Sequence, residues 1–301
     1  MTTRGAVVLL YHRVCQLDRD PYDLAVTPEH FQEQCRILSQ RGGVIPLEEL
    51  ARSGRGVAIT FDDGYADNAG AAREILSAAG LPATFFIASG LRERGDEAWW
   101  DRLEQLLLES GFECPWLDLE VDGRPLLLDV RSESARARAQ AALSRRLRPM
   151  RPHAIDAVLD AIEAQLGIRS VRRQSHRWMT AAELQQLAHA PGVEIGGHTI
   201  THPFLSSLDA PEQRREVEGC RHELEALVGR PVRSFAYPYG APDAFTDATV
   251  QIVREAGYTI ACSATGGTVL RDGNPLRTPR NTVGNWEGGQ FEAWLDRISL
   301  H

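Results

Sequence analysis

The sequence predicts an α/β fold: a parallel sheet, open or closed into a barrel, with helices between its strands and one largely helical insertion. Three observations predict it. Short apolar runs rich in β-branched residues recur along the chain, helical patterns with recognisable start signals lie between them, and the alternation is suspended once, over residues 92–179. The 301 residues suffice for one large α/β barrel or two smaller domains at roughly 150 residues per domain. No internal repeat, low-complexity tract or Pro/Gly-rich linker marks a second independent domain, so residues 1–301 read as one elaborated domain.

Taken in order, the first predicted strand is Ala6–Tyr11, followed by a helix that starts where Thr27 precedes Pro28, a capping residue before a proline at the first helical position. Val57–Phe61 and Ala83–Ile87 are the next strands, with Gly80 placed as the helix C-cap between them. The insertion follows, with two or three helical segments and a hairpin-like piece around Val121–Leu128. Thr180 with Glu183, and Asp209 with Glu212, are capping boxes that open two further helices. Strands are expected at Val193–Ile195, Ser234–Tyr237 and Tyr258–Cys262, with Gly192 and Gly257 as C-caps just before the first and last of these. The chain closes on an amphipathic pattern over Phe291–His301.

Composition excludes several chemistries. All 33 basic residues are arginine. Without lysine there is no Schiff base, no pyridoxal phosphate anchor and no P-loop, and arginine cannot substitute because it stays protonated. A net charge of −8 argues against a sequence-independent grip on nucleic-acid phosphates. Cys15, Cys35, Cys114, Cys220 and Cys262 are an odd number without a CxxC pair, which fits inert thiols rather than a disulfide framework or zinc knuckle. The apolar run Ala6–Leu10 is too short for a signal sequence or a membrane span, and a cytoplasmic protein without an integral membrane segment is the expectation.

Ionisable residues gather where the strand runs end. Val57–Phe61 leads directly into Asp62, Asp63 and Gly64. Two adjacent carboxylates after a buried strand are costly unless paired or bound to a cation, although an Asp-Asp-Gly alone is equally a turn. Val193–Ile195 leads through Gly196 and Gly197 to His198, Thr199, Ile200, Thr201, His202 and Pro203. The glycines and Pro203 favour a loop or short turn at the strand end, not the helix of an HExxH site. Two imidazoles and one carboxylate with open positions suit a divalent metal that keeps a reactive water. His12 follows the first strand, and Pro238-Tyr239-Gly240 follows another; in a βα barrel all such ends share one face, where active sites are built.

Thr60–Gly64 (TFDDG), His198–Pro203 (HTITHP) and Phe235–Gly240 (FAYPYG) together resemble the metal-dependent polysaccharide deacetylases, the NodB-homology or family-four carbohydrate esterases. The resemblance spans most of residues 1–91 and 180–290 and refines the expected fold to a distorted (β/α) barrel of NodB type. It implies that Asp63, His198 and His202 hold one divalent metal, zinc first with cobalt, nickel or iron as alternatives. It also implies that Asp62 is the general base and that the backbone N–H of Tyr239 helps bind the oxyanion. The family's general-acid His lies late in the chain, where only His301 stands, on the amphipathic pattern rather than a strand. Tyr11–Val14 (YHRV) resembles instead a circularly permuted branch that takes its acid from the first strand, which makes His12 the candidate acid. Many relatives carry an Arg two residues before the Pro of the third motif; this chain has Ala236 there, and Arg280 is the candidate to supply the guanidinium from a neighbouring strand end.

The implied reaction is removal of an N-acetyl group from an amino sugar in a polysaccharide, oligosaccharide or glycan precursor, by a metal-bound water with an Asp base and a His acid. An amide hydrolase acting on a nucleotide-linked, lipid-linked or other small substrate is one alternative; a catalytically silent glycan-binding domain is another. In a chain without lysine, an anionic part of the substrate would be gripped by arginine, and the insertion is dense in it from Arg131 to Arg151 and again from Arg169 to Arg177. The insertion reads either as such a lid or as a solvated helical excursion.

Overall fold

The computed structural model describes residues 5–91, 97–109 and 111–299, with the side chain of residue 299 left aside. His301 and the start of the predicted insertion, residues 92–96, lie outside the described residues. The chain divides into two compact units, Met1–Glu93 with Trp178–His301, and Arg94–Arg177.

The strands in chain order are β1 (Ala6–Tyr11), β2 (Arg13–Val14), β3 (Ala25–Val26), β4 (Gly56–Phe61), β5 (Ala83–Ile87), β6 (Trp116–Val121), β7 (Arg124–Asp129), β8 (Val193–Gly197), β9 (Ser234–Ala236), β10 (Ile260–Cys262) and β11 (Asn281–Thr282). In the first unit a sheet runs β10-β9-β8-β5-β4-β1-β11, and each neighbouring pair is parallel. The segment Thr278–Thr282 pairs with Cys262 of β10 at one end and with Leu9 and Leu10 of β1 at the other. Five residues span at most about 18 Å, so the sheet must curl to bring those strands within reach of one segment. The result is a distorted (β/α) barrel.

Period-two alternation then sorts the side chains. Val7, Leu9, Tyr11, Val57, Ile59, Phe61 and Phe85 pack outward beneath the helices, in one large core. Val8, Ala58, Phe86, Ala236, Ile260 and Cys262 form a second, smaller cluster to which strands from across the sheet contribute. Its members are mostly small, and Thr60 and Asp62 share the parity of Ala58 on β4, so the polar top of this inner layer is written in the sequence.

Helix starts agree with their sequence signals. Thr27 caps Pro28–Arg41 by accepting from His30 N–H, and the two capping boxes open Ala181–Ala188 and Ala210–Val228. Gly80 is a left-handed C-cap. Gly192 is not: the helix ends at His189, and Gly192 turns the chain into β8 with φ +75°. Gly196 and Gly197 belong to β8 rather than to a loop. A Cβ on Gly196 would stand 2.4 Å from the Phe86 ring and one on Gly197 2.4 Å from the Tyr258 hydroxyl, so close approach of neighbours demands glycine at both.

The second unit has its own core of Leu106, Leu107, Leu119, Leu143, Leu159 and Ile162 among others, built from the helical stretch Gln105–Glu109, the hairpin β6–β7 and the helices Glu133–Leu147 and Pro152–Leu166. Two of its arginines are held by carboxylates of the same unit. Arg131 forks onto Asp129 at 3.0 Å through both Nε and Nη2 and lies over Trp116. Arg173 is engaged by Glu97, Glu104 and Glu109. Arg145, Arg146 and Arg148, by contrast, are exposed. Among the described residues no helix is long and apolar enough to cross a membrane.

Candidate metal centre

Two strand ends deliver the cluster. At the end of β4, Asp62 N–H continues the ladder by donating to Tyr11 O at 3.0 Å, after which Asp63 enters the left-handed region with φ 75°. At the end of β8, His198 N–H donates to Ile87 O at 3.0 Å, and the turn that follows holds Thr199 at φ 68° and His202 at φ 57°. Positive φ is rare outside glycine and for a β-branched threonine is a real outlier, sustained only where the surroundings over-determine it. Here Thr199 O accepts from Ser89 N–H at 3.0 Å, and its hydroxyl accepts from His202 N–H at 3.1 Å and donates to His198 O.

The turn folds both imidazoles onto Asp63. His198 Nε2 and His202 Nε2 each lie 3.4 Å from Asp63 Oδ1, and one ligand atom from each of the three residues fits within a 4.8 Å group. Ligands about 2.0–2.1 Å from a tetrahedral ion are separated by about 3.4 Å along the edge, so two of the three separations already match a first-row divalent metal. His198 Nδ1 donates to Ala236 O at 2.8 Å, which orients the ring so that Nε2 is the atom facing Asp63. Burial drives the His202 pKa down to about 4, so that ring is neutral and able to ligate at pH 7. Burial pushes the Asp63 pKa up, yet its hydrogen bond with His198 leads the opposing effects, and the carboxyl is held well below the ordinary range. The donor set fits a divalent cation.

Arg280 occupies the segment that closes the barrel and reaches Asp62 with both arms: Nη1 to Oδ1 and Nη2 to Oδ2, each at 2.6 Å. Its Nε donates to Ser263 O at 3.1 Å, and its guanidinium lies over Phe86. Both partners are buried. Burial alone would raise the Asp62 pKa; the charge of Arg280 outweighs it, and the carboxyl is held below its ordinary value. Ala236 belongs to one cluster with Phe86 and Cys262, and the Arg280 guanidinium lies over the Phe86 ring of that cluster.

His12 follows β1, half-buried, and its charge acts on Asp62, Asp63 and His202. The Tyr239 backbone, at φ 62°, sits beyond β9, with its ring 4.7 Å from that of His202. The predicted residues are thus brought to one end of one barrel.

Two supports escaped the sequence. Asp67 accepts from Val14 N–H at 2.9 Å and pairs with the buried Arg13, while Asn68 Nδ2 donates to His12 O at 2.9 Å. Glu216, near the start of the helix Ala210–Val228, accepts from the turn between the two histidines. Asp67 and Asn68 follow TFDDG closely enough to have been suspected; Glu216, amid the charges of an amphipathic helix, carries no local signal.

A family model, polysaccharide deacetylase, matches residues 50–114 and 160–261, more than half of the chain. The matched segments contain Asp62, Asp63, His198, His202 and Tyr239, while His12 and Arg280 fall outside them. No curated relative matches the chain. Among solved structures, the Streptococcus pyogenes deacetylase PplD in complex with acetate is 17% identical at a TM-score of 0.64, covering 98% of each chain. IcaB from Ammonifex degensii is 20% identical at 0.59, covering 96% of each, and the BpsB deacetylase domain from Bordetella bronchiseptica is 16% identical at 0.57, covering 93% of this chain and 96% of that one. At these identities the likeness is one of fold.

Proposed function

The chain belongs to the polysaccharide deacetylase family, and from that premise we propose that it hydrolyses the N-acetyl amide of an amino sugar in a glycan or glycan precursor, with Asp63, His198 and His202 holding one divalent metal. The observation that carries the reading is the pairing of two sets of groups: a three-donor cluster beside a buried carboxylate that a bidentate arginine keeps ionised.

A cation bound there supplies Lewis acidity to the amide carbonyl and the attacking water. The chain's own residues do the rest. Asp62 takes the water's proton. Arg280 donates to one lone pair on each Asp62 oxygen, leaving the others for the water, and holds the carboxylate in a fixed plane. The backbone N–H of Tyr239 donates to the oxyanion as charge develops. His12, protonated, delivers a proton to the departing nitrogen, which is otherwise too poor a leaving group to depart. Acetate and a free amine result. Taking the acid from the first strand accords with the permuted branch, and zinc is the first metal to try.

The test is a substrate series running from N-acetylated monosaccharides through nucleotide- and lipid-linked forms to polymer, with acetate release and metal content measured on the same protein. Metal-dependent acetate release from at least one amino sugar is expected. A metal-loaded protein that binds glycan but releases no acetate from any of them would leave a silent binding domain.

A further inference from the structure

Between His198 and His202 the chain makes a turn whose first and last left-handed residues, Thr199 and His202, are not glycine. Such a turn needs outside support. It receives it from one carboxylate: Glu216 Oε2 accepts from Ile200 N–H and Thr201 N–H, both at 2.9 Å, and Oε1 accepts from the Thr201 hydroxyl at 2.8 Å. Two successive backbone N–H groups converging on one oxygen form a concavity for negative charge. Glu216 is only 7% exposed, so this charge is removed from bulk water and the three bonds are what satisfies it. The opposite side of the turn is tied to the segment after β5, Gly90 N–H donating to Ile200 O at 2.9 Å. The turn is clamped between a strand end and a helix.

We propose that Glu216 is a positioning residue for the metal: it fixes the turn so that His198 Nε2 and His202 Nε2 face the same oxygen of Asp63. The inference rests on reading Asp63, His198 and His202 as the metal site. Glu216 touches neither substrate nor metal and acts through the backbone, as partners behind metal ligands commonly do. Its geometry predicts an ordering of variants. Glu216→Gln retains an oxygen for the two N–H groups and offers its amide to a reoriented Thr201 hydroxyl, so it keeps the clamp. Glu216→Asp keeps the charge but falls one methylene short. Glu216→Ala removes the clamp.

The experiment titrates Co2+ into metal-free wild type and the three variants, following visible absorption and heat, with thermal melting of the metal-free proteins alongside. Glu216→Ala and Glu216→Asp are expected to bind Co2+ on the order of 10- to 100-fold more weakly, with altered absorption bands, while Glu216→Gln stays close to wild type. Should Glu216→Ala fail to fold, Glu216→Asp carries the comparison. Lowered melting with wild-type affinity and bands in Glu216→Ala or Glu216→Asp would reduce Glu216 to a fold-stabilising role and overturn the inference. Wild type that takes up no Co2+ would instead overturn the metal site itself, and the inference with it.

Discussion

Asp62 and Arg280 are buried together, and the pair behaves differently depending on which side is removed. Arg280→Ala leaves a carboxylate without its partner in a site it shares with Asp63. Losing one member of a buried pair costs about 3–5 kcal/mol, and we expect turnover to fall at least about 100-fold, the lower bound for disabling a general base. Restoring an arginine through Ala236→Arg in the Arg280→Ala background should recover part of that rate, because Ala236 shares a cluster with Phe86, the ring over which Arg280 lies. No recovery in steady-state acetate release would mean that the two positions do not share one space. Asp62→Asn keeps the shape and should lower kcat by roughly 100- to 10,000-fold while metal content stays near wild type, since Asp62 is not in the three-donor group. At this scale the sequence was most legible. Asp62 and Asp63 were visible because they end an apolar run directly, and His198 and His202 because a second run leads to them through two glycines; a buried run that ends in charge needs a reason. Glu216 was invisible because its partners are backbone N–H groups 15 and 16 residues away, and nothing in the residue type records them.

The strands were read correctly where β-branched and apolar residues fill both faces, as in β1, β4 and β5. The reading failed where a strand ends in glycine. Gly196 and Gly197 look like a break, yet they are the residues that let β8 sit against Phe86, Ser234 and Tyr258, a long-range demand that local propensity does not encode. The same strand carries a testable anomaly. Glu194 is partly buried and accepts from the Thr84 hydroxyl at 2.8 Å, and burial raises its pKa above 4.5. A carboxyl whose folded pKa is raised is ionised more readily in the unfolded chain. It therefore costs nothing below the unfolded value and penalises folding increasingly as pH rises through the folded one. Glu194→Gln, which keeps the acceptor for Thr84, should raise Tm at pH 8 and change it little at pH 4. Equal Tm at both values, or a lower Tm at pH 8, would contradict the buried-charge account.

On the scale of the molecule, the two units follow from two hydrophobic cores, one beneath the barrel helices and one among the residues 103–166. Leu143, fully buried in the second, should cost about 2–5 kcal/mol when truncated to alanine, read as a lowered denaturation midpoint. The barrel gathers strand ends from β1, β4, β8 and β9 at one mouth, which is why motifs separated by more than a hundred residues can form one site. That convergence was legible from alternation alone; the closing segment Thr278–Thr282 was not, because two-residue β11 has no periodicity to read. The central claim is that this mouth uses a divalent metal to release acetate from an N-acetylated amino sugar. Its most direct test is to strip the protein with a chelator and restore Zn2+ or Co2+ in measured increments, following acetate release against metal bound. The account predicts no release without metal, a rise in proportion to occupancy that saturates at one ion per chain, and no restoration in Asp63→Ala. Acetate release that survives complete removal of metal would contradict it.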